Sequence, residues 1–154
     1  MTTRIDLGFP KLLPIIGTWS LPFAAYYALL TNRIVYHRLA QQKYLGDNST
    51  NSGATNHEEP EPLYLATRGQ ANFLENVPLA LVFAGIAELN GGSRKVLNYG
   101  LAALFFFRVA HVELGLNRKG TMGVGRVVGY YGSQGFLVAV ASYSAYLVKG
   151  YWGF

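Results

Sequence analysis

Arg68–Pro78, RGQANFLENVP, sits on the first turns of a largely apolar stretch that runs from about Tyr64 to Leu89. Read as a helix with 3.6 residues per turn, it places Arg68, Asn72 and Glu75 (i, i+4, i+7) on one face, one above the other. A cation, an amide and a carboxylate stacked in so apolar a segment need partners, because each is costly to bury alone.

Three further apolar segments surround this one. No charge occurs from Leu12 through Asn32, and Lys11 and Arg33 bracket the run. At about 1.5 Å per residue it crosses a hydrocarbon core of about 30 Å, so a first membrane helix is expected over about 12–32. A cleaved signal peptide is the alternative, but the run is long for one and no A-x-A site follows. Pro14 and Pro22 are tolerated better in a membrane helix, where neighbours absorb a bend. The second helix is expected over about 64–89 and ends at the turn signal Asn90-Gly91-Gly92-Ser93. The third, about 96–116, holds Leu104-Phe105-Phe106-Phe107 and then Arg108, His111 and Glu113. After a Gly-rich turn from Asn117 to Gly125, the fourth, about 127–148, has no charge between Arg126 and Lys149.

The stretch of about 33–63 differs. Asp47 to Gly53 and Glu58-Glu59-Pro60-Glu61-Pro62 cannot build a core, so a polar loop on the water side is expected. Asn48-Ser49-Thr50 is a glycosylation sequon, used only if that loop faces a secretory lumen. Short turns join the other segments, which makes neighbours antiparallel. The fold class is therefore all-α: one membrane domain over 1–154, an integral up-and-down four-helix bundle.

Composition agrees. Of 154 residues, 51% are hydrophobic and 14% charged, against about 25% charged in a soluble domain. The formal charge of +5 does not indicate nucleic acid, because the cations flank apolar runs and form neither a tail nor a helix face. There is no cysteine, so any sulfur chemistry must arrive with a ligand. His37, His57 and His111 are scattered without metal-binding spacing, and no metal site is expected. Lysine and arginine are in modest excess beside the 33–63 and 117–125 loops, which favours a cytosolic position for both.

That topology gathers the polar groups at one depth. Arg68, Asn72 and Glu75 open the second helix, Arg108 and His111 close the third, Arg126, Tyr130 and Tyr131 open the fourth, and Arg33 and Arg38 leave the first. Glu75 pairing with Arg108 would anchor the bundle, yet it leaves most of these cations unmatched. An anionic ligand completing the set is the favoured reading. Gly129, Gly132 and Gly135 recur at a spacing that lets membrane helices approach closely. His111 reads first as a hydrogen-bonded bundle residue, and Tyr64, Tyr99, Tyr143, Tyr146, Tyr151 and Trp152 as interface anchors.

The pattern Arg68-x-x-x-Asn72-x-x-Glu75-x-x-Pro78, Ala87-Glu88-Leu89, Arg108-x-x-His111-x-x-x-Gly115 and Arg126-x-x-Gly129 with Ser133 resembles the MAPEG family, the membrane-associated proteins in eicosanoid and glutathione metabolism. It is most similar to the short branch of that family. The resemblance implies a homotrimer that binds glutathione between neighbouring subunits near the cytosolic face. Arg68, Asn72 and Glu75 would hold the glutathione backbone and amino group, with Arg33 or Arg38 on a carboxylate and Arg108 and His111 completing the binding set. Arg126 matches the arginine that faces sulfur in the family's synthases, with Tyr130 or Ser133 assisting. Third-helix tyrosines of those enzymes are replaced here by His111 and Gly115.

The implied activity is that of a glutathione transferase, in which a thiolate attacks a lipophilic small molecule arriving from the membrane lipid. A glutathione-dependent isomerase or peroxidase, or a non-catalytic binding protein with the same fold, are the alternatives. The expected location is the endoplasmic reticulum membrane in a eukaryote, or the inner membrane in a bacterium.

Overall fold

The computed structural model describes residues 12–45, 61–118, 121 and 123–153. Four long helices carry the fold: α1 (Pro14–Gln41), α2 (Pro62–Leu89), α3 (Arg94–His111) and α4 (Val124–Leu147). One π-helical turn, Val112–Leu116, extends α3, and a 3-10 turn, Lys149–Trp152, follows α4. Strands are absent among the described residues.

The ends of the helices explain much of the arrangement. Pro14 begins α1, where its missing N–H costs nothing. Residue 13 offers no side-chain cap. Instead Glu88, from the last turn of α2, accepts the Ile15 N–H at 2.7 Å and the Ile16 N–H at 3.0 Å. One carboxylate thus satisfies two orphan donors, meets the positive end of the α1 dipole and fixes α1 antiparallel to α2. Removing it in Glu88→Ala is expected to destabilise the protein by about 1–2 kcal/mol. Thermal unfolding in detergent checks this, with Glu88→Gln falling between the two.

At its other end α1 continues past the expected boundary to Gln41. Gln42 then takes a left-handed conformation (φ 54°) and the Lys43 N–H donates to the Arg38 carbonyl at 3.0 Å. Arg33 and Arg38 therefore ride on the last turns of a helix and not on a loop. Residues 46–60, which contain the Asn48 sequon, lie outside the described residues.

Between α1, α2 and α3 the core is aromatic. Phe23 meets Phe105 edge-on with ring centres 5.4 Å apart, and Phe73 packs against Phe23, Tyr26 and Tyr27. Polar side chains tie the same helices: the Trp19 indole N–H donates to Asn98 Oδ1 at 3.0 Å, and the Gln70 amide to the Tyr27 hydroxyl at 3.2 Å.

The α3–α4 contact is built on small residues. A Cβ at Gly129 would run into the Phe107 carbonyl and His111, one at Gly132 would strike the Phe107 ring, and one at Gly135 would meet nothing. Two of the three spaced glycines thus make the approach. Gly115, on the π turn, belongs with them, since a Cβ there would lie 2.6 Å from the backbone nitrogen of Arg126. A tyrosine could not occupy that position without separating the segments.

All four helices have spanning length. Two, α2 and α3 with its π turn, are also apolar enough to cross a membrane. The first and last runs carry no charge, but glycine, serine and tyrosine dilute their hydropathy.

A candidate binding cleft between α2, α3 and α4

Where α2 and α4 begin and α3 ends, a cleft of about 600 Å³ opens. Its α2 wall is Tyr64, Leu65, Arg68 and Asn72, three consecutive turns of one helix face. Opposite lie Arg126, Val127, Tyr130 and Tyr131 of α4, while His111 and Leu116 form the floor from α3 and the π turn. Among the described residues two guanidinium groups and no carboxylate line it, a lining that favours anions.

Beneath the α2 wall, Arg108 is buried at 2% exposure. Its Nη1 donates to Asn72 Oδ1 at 2.7 Å and its Nη2 to the Gly129 carbonyl, while Nε has no partner. A guanidinium can only donate, so the Asn72 oxygen is committed to Arg108 and its NH2 is left for the cleft. Arg108 does not line the cleft itself; it joins three helices and sets the amide that does.

On the α4 side, His111 Nδ1 lies 3.1 Å from the Arg126 carbonyl oxygen. The Arg126 guanidinium donates to the Thr121 carbonyl at 3.2 Å, which holds it over the cleft mouth. Arg68 is exposed and makes no hydrogen bond or ion pair among the described residues.

Five of the expected residues are therefore brought together: Arg68, Asn72, His111, Arg126 and Tyr130. The others lie elsewhere in this chain. Glu75 is exposed on the outer surface of α2, two turns above Arg68, and does not meet Arg108. Ser133 is buried, its hydroxyl donating to the Gly129 carbonyl at 2.8 Å. Arg38 donates to the Tyr44 carbonyl at 3.1 Å.

Arg33 is held by Glu113 across a 2.6 Å ion pair, and the same carboxylate accepts the Tyr26 hydroxyl at 3.1 Å and the Asn117 amide at 3.0 Å. With His37 and Val112, Arg33 borders a second hollow of about 470 Å³ between α1, α2 and the π turn.

Sequence reading gave no role to Glu113 and treated Tyr64 as an interface anchor. The π turn accounts for the first: it directs Glu113 toward α1 while His111 and Leu116 stay on the cleft side. No signal in the sequence marks that turn except Gly115 within it. For Tyr64 the signal was present, since it lies one turn before Arg68 on the same face.

Comparison with known proteins places this architecture. A sequence profile described as MAPEG family matches residues 16–146, nearly all of α1 through α4. No curated protein and no solved structure gives a match. An all-helical bundle with two membrane-capable helices, matched over most of its length, makes this chain a member of the MAPEG family, whose proteins are membrane-associated.

Proposed function

We propose that the chain is a glutathione-dependent membrane transferase that activates the glutathione thiol for attack on a lipophilic electrophile. The observation that carries this is the cleft wall itself, with two guanidiniums, an amide N–H and three tyrosines but no carboxylate among the described residues. Glutathione is a net anion and brings the thiol that a chain without cysteine lacks. A cleft of about 600 Å³ is of the size that takes such a ligand.

In this reading Arg68 and the Asn72 amide hold the glutathione backbone and a carboxylate, Arg108 keeps that amide oriented, and Tyr130 assists at the mouth. Arg126 stabilises the thiolate. Glu75 supports a homotrimer: an exposed carboxylate on an apolar membrane helix is costly unless a second subunit covers it. There it would meet the ligand's amino group, and Arg33 or Arg38 would arrive from the neighbour. In this reading α1 and α4 cross the membrane with α2 and α3, and the electrophile arrives laterally from the lipid.

The test is conjugation of glutathione to a lipophilic aryl halide by the purified protein in detergent micelles. A rate at least tenfold above the uncatalysed reaction supports a transferase. Glutathione binding without conjugation, isomerisation or peroxide reduction would instead point to a non-catalytic binding protein.

A further inference from the structure

The hydrogen bond between His111 and the Arg126 carbonyl fixes more than the position of a ring. A carbonyl oxygen only accepts, so at 3.1 Å the proton must sit on Nδ1 of His111. In the neutral imidazole the other nitrogen, Nε2, then carries a lone pair. Nε2 has no hydrogen-bond partner among the described residues and is not a sealed polar atom of the interior, and His111 lines the cleft. Arg68, Arg126 and the Asn72 amide offer only donors to that space. The tyrosine hydroxyls of Tyr64, Tyr130 and Tyr131 give up a proton more readily than they hold a second one. Among the described side chains that line the cleft, Nε2 is therefore the one basic atom.

We infer that His111 is a catalytic residue whose Nε2 accepts the proton of a thiol bound in the cleft. The inference rests on the glutathione reading above and deepens it by assigning the proton. The S–H bond breaks, both of its electrons stay on sulfur, and the proton forms an N–H bond at Nε2. The imidazolium so formed later returns that proton to the group displaced from the electrophile. Arg126 serves the step twice: its carbonyl sets the tautomer, and its guanidinium faces the negative charge that develops.

The fold makes this geometry possible through glycine. Gly115 and Gly129 let the start of α4 lie directly on α3 and the π turn, and this brings the Arg126 carbonyl within reach of His111.

Two measurements decide it. Nitrogen NMR of ligand-free protein labelled at histidine, with the His111 signals assigned by their loss in His111→Asn, should show a protonated Nδ1 and a bare Nε2. A protonated Nε2 overturns the inference and leaves the glutathione reading standing. His111→Asn keeps a donor for the Arg126 carbonyl but has no base at the Nε2 position. It should bind glutathione within threefold of the parent by equilibrium dialysis, while the thiolate absorbance at neutral pH falls at least tenfold. Undiminished thiolate in that variant overturns the inference. Absence of glutathione binding to the parent protein overturns both readings together, and dialysis shows it before any variant is made. If His111→Asn does not fold, a set of single histidine replacements at His37 and His57 assigns the spectrum, and the tautomer alone decides.

Discussion

Arg126→Ala is expected to remove the ultraviolet thiolate absorbance that glutathione acquires on binding, and conjugation is expected to fall at least a hundredfold with it. A free thiol ionises with a pKa of about 8.5, so only a few per cent is thiolate at neutral pH; activated sites bring that value to about 3.5–7.5. A guanidinium in a cleft with no carboxylate among its described residues stabilises the thiolate that His111 leaves on deprotonating the thiol. The backbone carbonyl that orients His111 survives the substitution, so the loss isolates the charge from the base. Binding is expected to weaken far less, because Arg68 and Asn72 remain. Difference spectroscopy at saturating glutathione reads the first effect and dialysis the second; equal loss of both would assign Arg126 to binding alone.

The second large effect concerns the fold that builds the cleft. Gly129→Ala would put a methyl group against the Phe107 carbonyl and 2.8 Å from the His111 Cα. Backbone cannot yield as a flexible side chain does, so α3 and α4 must separate. Overpacking of this kind costs about 3 kcal/mol, and the separation also breaks the Arg108 bond to the Gly129 carbonyl and the contact of Arg126 with His111. A fall in the unfolding temperature together with loss of glutathione binding is expected. Gly135→Ala is the control, because nothing lies within 4 Å of its added Cβ. It should leave binding intact and stabilise α4 by up to about 1 kcal/mol, the helix preference of alanine over glycine. Equal behaviour of the two variants would show that close approach at Gly129 does not hold the bundle together.

Periodicity and turn signals made the helices legible, because apolar runs of spanning length separated by Asn-Gly-Gly-Ser and a Gly-rich turn leave few other arrangements. The end of α1 was less so. Arg33 and Arg38 read as a boundary, yet a charged helix projecting beyond the apolar run needs no apolar residues to persist, and it stops only at the left-handed Gln42.

Within the site, the i, i+4 relation of Arg68 and Asn72 was visible in the sequence and is found in the cleft wall. The next step along the face, Glu75, stays at nearly the same angle as Arg68, since seven residues fall just short of two turns, but it lies about 10 Å further along the axis of α2 and does not line the cleft. Which cation Glu75 or Glu113 would meet depended on tertiary contacts. Arg108 chose an amide and a carbonyl in place of Glu75, and Arg33 took Glu113. Ser133 looked available in sequence, but a serine on a helix satisfies itself four residues back when no better acceptor is near.

Whether the cleft takes glutathione is the most direct test. Equilibrium dialysis of labelled glutathione against the purified protein in mild detergent measures it. Saturable binding is predicted, weakened at least tenfold by Arg68→Ala and competed by S-methylglutathione, which keeps the charges but has no ionisable thiol. No saturable binding, or binding indifferent to Arg68→Ala, would contradict the account.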